Sequence, residues 1–286
     1  MHNATQGLNS KLEESKKMII NKKIDDAKKE IRKGFDKFKP EELAITWTGG
    51  KDSTLVLWLI RQVCEEDGRP LPTVFTISEH DVFTEIEDFM KEYAKKWDID
   101  LVWYLNEDVV KAAGGELGAI LRVKDLNERN QKEIERLGYE EDEFVFEAES
   151  YTGNHLMKTV MFNKFIEDRN IKGIFQGIRW DEHSARMNDE YFMYHEAADL
   201  NPEHTRICPI LHFTERDVWD TTKGFNIPFN DLYQHGYRSL GAKSSSKIAM
   251  ADVPAWEQDL ENTGERDGRR QDKEEAMEKL RKLGYM

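Results

Sequence analysis

The chain has 286 residues, 34% charged and 38% hydrophobic, with a formal net charge of −14 at pH 7. That length is enough for one large α/β domain or two small ones with a sizeable core. The acidic balance disfavours non-specific nucleic-acid binding, which depends on Lys and Arg neutralising phosphates. No run approaches the ~18 apolar residues that span a membrane. The opening Met1-His2-Asn3-Ala4-Thr5-Gln6-Gly7 lacks the basic and apolar regions of a secretory signal, so a cytoplasmic location is expected. The two cysteines, Cys64 and Cys208, are far apart and fit no zinc or iron–sulfur spacing, so both are expected to be core thiols, Cys208 less firmly than Cys64.

In chain order, residues 10–38 read as an amphipathic helix, with Ile20, Ile24, Ala27, Ile31 and Phe35 recurring at three- and four-residue steps among Lys, Glu and Asp. Pro40 ends it, and Leu43 to Trp47 reads as a strand. This strand runs through Thr46-Trp47-Thr48-Gly49-Gly50-Lys51-Asp52-Ser53-Thr54 into the apolar helix that begins Leu55-Val56-Leu57-Trp58. Strand, glycine turn and helix N-terminus gather unpartnered backbone N–H groups around an anion, and the helix dipole adds positive potential. Gly49 and Gly50 permit the sharp turn and a close approach to phosphate, Lys51 brings a mobile cation, and Ser53 and Thr54 can cap the helix. The order Gly-Gly-Lys-Asp-Ser is not the Walker A pattern, whose glycines are spaced apart.

A strand over 71–77, a helix over 83–97 and a strand over 101–105 follow. Ser78 and His80 fall at the carboxyl end of the second strand, where open parallel sheets bind ligands. The β-α-β-α-β alternation predicts an α/β fold, a doubly wound, mostly parallel twisted sheet with right-handed crossovers. Residues 106–149 are densely charged and read as a helical insertion or lid with no assigned chemistry. A helix over 160–169 and a strand over 173–177 come next, leaving through Gly177-Ile178-Arg179-Trp180-Asp181-Glu182 towards Arg186. Arg179 and Arg186 can each fork onto phosphate or sulfate oxygens, or pair with the neighbouring acids.

The Thr-Gly-Gly-Lys-Asp-Ser loop resembles the pyrophosphate-binding loop of the adenine nucleotide α-hydrolase superfamily. The Gly177-to-Arg186 stretch, Arg206-Ile207-Cys208-Pro209-Ile210, Thr214 to Trp219 and Ile227 to Tyr233 are similar to segments of the phosphoadenylyl-sulfate reductase family. Tyr237 to Gly241 and the stretch from Glu265 to Tyr285 look like the tail of the bacterial sulfate adenylyltransferase small subunit. The Glu-Cys-Gly-x-His segment of the reductases is missing, and so are the iron–sulfur cysteines of the adenylyl-sulfate branch. Ala242 to Ser246 and residues 106–149 match the adenylyltransferase poorly.

Periodicity predicts an N-terminal helix over 1–39, and the resemblance implies a nucleotide-binding domain over 40–235 and a C-terminal arm over 236–286. It also implies ATP and Mg²⁺ as cofactors, with ATP cleaved between its α and β phosphates. Thr46, Trp47, Thr48, Gly49, Gly50, Lys51, Asp52, Ser53, Ser78, Gly177 and Arg238 are the expected nucleotide-binding residues. Lys51, Asp52, Ser53, Arg179 and Arg186 are the expected catalytic ones. Lys243 and Ser244 would close over the site, and Arg266 and Arg269 would order on binding.

Three functions compete. The first is adenylyl transfer to an oxyanion, foremost sulfate, which is strongly uphill and implies a GTPase partner subunit. The second is activation of a nucleic acid for sulfur insertion, with a separate sulfur donor. The third is a nucleotide-binding subunit without turnover. A homo-oligomer is compatible with each, and a membrane role with none.

Overall fold

The computed structural model describes residues 2–148, 150–183 and 186–265, with side chains from residue 14 onward. Helix α1 (His2–Lys37) places Ile20, Ile24, Ala27, Ile31 and Phe35 in the main core, the stripe that the periodicity predicts. Strand β1 (Leu43–Thr46) leads through the glycine turn into α2 (Lys51–Asp67). Then come β2 (Thr73–Ser78), α3 (Thr84–Lys96) and β3 (Leu101–Leu105). The second strand starts two residues later than its apolar run because Leu71 and Pro72 precede the ladder, and Pro72 has no N–H to contribute.

The central sheet has six strands in the order β3-β2-β1-β6-β8-β7, where β6 is Gly173–Phe175, β7 is Phe192–His195 and β8 is His204–Ile207. Every pairing is parallel except β7 with β8, so the mostly parallel α/β sheet of the sequence reading is present. Strand order reverses at β1, with β2 on one side and β6 on the other, and such a reversal opens a crevice at the carboxyl ends of the strands. β6 ends at Phe175, two residues short of its apolar run, because Gln176 and Gly177 turn out of the sheet towards α2. β7 and β8 were not anticipated. All four residues of β8 are buried between β6 and β7, yet two of them are His204 and Arg206, so burial alone makes this a core strand.

Residues 106–149 correct the helical expectation. Besides α4 (Glu107–Ala112) and α5 (Glu128–Arg136) they hold an antiparallel hairpin, β4 (Ile120–Arg122) with β5 (Glu143–Val145), in which Leu121 faces Phe144. Val109, Leu121, Ile134, Phe144 and Phe146 form a second core that closes on Leu156, Met157, Val160 and Met161. Those last residues belong to a helical run of α6 (Tyr151–Asn154), a π-helical turn (His155–Thr159) and α7 (Val160–Arg169). A buried His155–Glu133 contact of 2.9 Å ties the π-turn to α5. Helix α8 (Glu215–Gly224) starts with a capping box made by Thr214 and Asp217.

On the β7–β8 pair, His195 and His204 stack with ring centroids 4.7 Å apart. Burial, followed by the Arg206 charge, pushes His195 down to about 4. Burial and the charges of Arg206 and His195 push His204 down to about 3, against a hydrogen bond to the Pro202 carbonyl. Both rings stay neutral in the folded protein at pH values where the unfolded chain protonates them near its ordinary value of about 6.5. This contribution to stability is therefore intact above about pH 6.5 and is lost as pH falls towards 4. Thermal melts across that range should show a falling Tm. The proton-linked slope should shrink by up to about two protons in the double variant His195→Phe/His204→Phe.

Candidate active site

A cavity of about 390 Å³ opens at the strand ends where the order reverses, within the range of about 300–1,000 Å³ usual for small-molecule sites. The glycine loop forms one wall, the ends of β2 and β6 the floor, and the π-turn with Arg206 the far wall.

The loop is braced from within. The Ser53 hydroxyl donates to the Gly50 carbonyl (3.1 Å) and accepts the Thr48 N–H (3.2 Å), while the Thr48 hydroxyl lies 3.1 Å away. Gly49 sits at φ +71°, where side chains are strained, and a Cβ there would lie 2.8 Å from Ile86. Gly50 caps α2 in extended backbone, so the first-turn amides of the helix face the loop. One of them, the Lys51 N–H, donates to the Tyr233 hydroxyl at 3.0 Å. Thr46 also lines the cavity and donates to the Phe175 carbonyl at 3.1 Å, fastening β1 to β6.

Trp47 departs from the sequence expectation. Its indole is fully buried, donates to Thr54 at 3.0 Å and packs against Phe89 and Trp97, away from the cavity. It shapes the loop from behind.

Under the loop lies a cluster of buried charges. Lys51 Nζ is 2.5 Å from Glu265, 3.2 Å from Asp52 and 3.9 Å from Glu215. The Arg179 guanidinium pairs with Asp52 and Glu265, and with Asp181 at 2.8 Å. The backbone N–H of Glu215 donates to Asp181 at 2.7 Å, joining α8 to the cluster. Arg238 was expected at the nucleotide. It is instead buried and donates to Glu215 at 2.8 and 2.9 Å and to the Thr263 carbonyl at 2.9 Å.

Burial alone would lower the Lys51 ammonium, but the carboxylates of Asp52, Glu265 and Glu215 outweigh it and hold the pKa well above the ordinary lysine value. Burial likewise opposes the Arg179 charge, and Asp52, Glu265 and Asp181 overcome it. For Glu265 burial would raise the carboxyl, yet Lys51 and Arg179 together hold it well below the usual carboxylate range. Glu215 is raised, first by burial and then by the Glu265 charge, despite Lys51 and Arg238.

On the opposite side, Arg186 lines the cavity and pairs with Glu182. Lys158 on the π-turn pairs with Glu79 at 2.7 Å. Arg206 projects from β8 with its guanidinium 5.6 Å from the Phe162 ring centroid. Ser78 lines the floor, whereas His80 turns aside to the Gly115 carbonyl at 2.9 Å. The segment Ser239–Leu240–Gly241 crosses the mouth. It is held there because Asp81 accepts the Ser244 N–H at 3.1 Å and the Ser244 hydroxyl, and its carbonyl takes the Lys243 N–H at 2.9 Å. Arg266 and Arg269 lie outside the described residues.

The sequence reading missed Asp81, Lys158, Arg206, Glu215, Tyr233 and Glu265 as parts of this site. Arg206, Glu215, Tyr233 and Glu265 stood inside the resembling segments, the one signal that could have drawn attention to them. Burial pushes Cys64 up to about 11 and Cys208 up to about 12, so neither is a thiolate at neutral pH.

Residues 42–248 match the phosphoadenosine phosphosulfate reductase domain. The chain belongs to that family. Among curated relatives, a probable FAD synthase of Caenorhabditis elegans is 23% identical over 226 residues, covering 78% of this chain and 34% of the worm protein. Sulfate adenylyltransferase subunit 2 of Mesorhizobium japonicum is 23% identical over 203 residues, covering 64% of this chain and 58% of that protein. The chain thus spans about a third of the worm relative's length. The fold is shared with Candida glabrata FMN adenylyltransferase in complex with ATP, at TM-score 0.56 and 20% identity, covering 81% of this chain and 64% of that one. It is also shared with phosphoadenylyl-sulfate reductase from Candida auris, at TM-score 0.53 and 15% identity, covering 78% and 90%.

In this reductase-family domain Gly177 brings the exit of β6 against the start of α2, where a Cβ would lie 2.7 Å from the Asp52 carbonyl carbon and the Ser53 nitrogen. Both are backbone atoms, so relief requires moving the loop itself. Gly177→Ala should cost about 1–3 kcal/mol of stability, as overpacking does. Thermal melts of Gly177→Ala beside Gly224→Ala, where a Cβ meets open space at an ordinary φ, should show the loss at Gly177 alone.

Proposed function

We propose that this chain is an ATP-dependent adenylyltransferase that cleaves ATP between the α and β phosphates and passes the adenylyl group to an oxyanion. The observation that carries this reading is one continuous cavity joining the helix-terminal amides of the loop to a far wall where Lys158, Arg186 and Arg206 outnumber the acids Glu79 and Glu182. The β and γ phosphates would rest on the loop, and the acceptor would approach from the far wall. An acceptor oxygen forms a bond to the α-phosphorus as the bond to the bridging oxygen breaks and pyrophosphate leaves. Such a transfer needs positioning and charge stabilisation from the protein more than covalent participation. The likeness to an ATP-bound adenylyltransferase fold and to two kinds of adenylyl-transferring relative supports it.

Mg²⁺ fits as part of the nucleotide chelate, since that ion takes one or two carboxylates together with phosphate oxygens. Asp52 is the carboxylate of the loop itself that would hold it, and among the described residues no cluster of three or more His, Cys, Asp and Glu stands ready for a bare metal ion.

Two acceptors follow from the relatives. Sulfate suits the cationic wall and would require a partner to drive an uphill transfer, in keeping with a relative that is itself a subunit. A phosphomonoester on a planar ring system, flavin mononucleotide above all, is favoured by the Phe162 face beside the Arg206 guanidinium.

Pyrophosphate release from Mg-ATP, measured with sulfate, with flavin mononucleotide and with neither, tests the reading. Release stimulated by one acceptor and reduced about a hundredfold or more in Asp52→Ala is expected. Release of phosphate in place of pyrophosphate would overturn it. Tight ATP binding without turnover would favour a non-catalytic subunit, and release only with nucleic acid and a sulfur donor would favour sulfur insertion.

A further inference from the structure

Glu265 occupies the place of a ligand. Its side chain lines the cavity, is 6% exposed, and lies with one oxygen on Lys51 and the other on Arg179. Those are the cations closest to the loop amides, and each side chain is only 1% exposed. A carboxylate that bridges an ammonium and a guanidinium makes the same charge-assisted contacts that two oxygens of a phosphate would make.

The charge count points the same way. Lys51, Arg179 and Arg238 face the carboxylates of Asp52, Asp181, Glu215 and Glu265, so the cluster carries one more negative charge than positive. Bringing a polyphosphate onto the adjoining amides adds further negative charge at low dielectric, where like charges interact strongly. Withdrawing Glu265 brings that balance to zero and leaves Lys51 and Arg179 open to the phosphate oxygens.

The turn that carries this residue is tied to the same cluster. Arg238 fastens the preceding turn, donating to the Thr263 carbonyl at 2.9 Å and to its hydroxyl at 2.5 Å, and is itself held by Glu215. Between that anchor and Glu265 stands Gly264, which has no Cβ to restrict rotation. Loss of the Glu265 pairs to Lys51 and Arg179 would therefore loosen the backbone of this turn.

We propose that Glu265 is an internal competitor for the pyrophosphate subsite: its carboxylate holds Lys51 and Arg179 when the loop is empty, and the β and γ phosphates displace it on binding. The arm then reports whether the loop is filled. This inference rests on the proposed placement of the phosphates, and the test separates the two.

Hydrogen–deuterium exchange of the wild-type chain with and without saturating inorganic pyrophosphate reads both segments at once. Protection over 47–54 together with faster exchange over 261–265 is the expected result. Protection over 47–54 with exchange unchanged or slowed over 261–265 overturns the internal competitor and leaves the phosphate site standing. Absence of protection over 47–54 overturns the site itself. Calorimetric titration gives the second measurement, in which Glu265→Gln should bind pyrophosphate at least about tenfold more tightly, because the competent fraction rises. Equal or weaker binding by that variant would make Glu265 a structural or positioning residue.

Discussion

Two buried cations and the carboxylates that balance them determine how this site is assembled. Lys51 and Arg179 arrive from opposite sides of the reversal in strand order, one on the first turn of α2 and the other beyond β6. Neither could be desolvated alone, because an uncompensated buried charge costs several kcal/mol. Asp52, Asp181, Glu215 and Glu265 supply the compensation, and they come from the loop, the β6 exit, α8 and the arm. Charge balance therefore draws four separated segments together around one glycine turn. Tyr233, with its hydroxyl on the Lys51 N–H, adds a fifth.

Apolar packing makes that convergence possible. The sheet core carries β1 and β6 side by side, and Gly177 lets the exit of β6 lie against the start of α2. Trp47, sealed behind the loop by Phe89 and Trp97, sets where the turn begins. The second core under the charged 106–149 surface holds the π-turn that presents Lys158, and a π-turn within an α-helical run is often a feature of functional sites. Both walls of the cavity thus rest on packed apolar residues, while most of the side chains that line it are polar.

The balance of legible and hidden features follows from how local each signal is. The α1 stripe, the β-α-β-α-β run and the glycine turn are written in consecutive residues, so periodicity and spacing expose them. β8 was hidden because His204 and Arg206 break the apolar pattern, and only burial between two strands makes their segment a core strand. The β4–β5 hairpin was hidden because each strand has only three residues, with a single buried side chain, Leu121 or Phe144, between two exposed ones. Arg238 was expected at the nucleotide from the resembling tail segment, but local sequence does not reveal that Glu215 and Thr263 already claim it.

The sequence by itself determined the fold class, the family and the position of the glycine turn, because each depends on short-range pattern and on glycines where a Cβ does not fit. Tertiary structure alone decided which acids neutralise which bases. Glu265 lies 214 positions from Lys51 along the chain, and nothing in either neighbourhood marks the two as partners. Their pairing is enforced by the cost of burying a charge without a counter-ion, a quantity that exists only once the chain has folded.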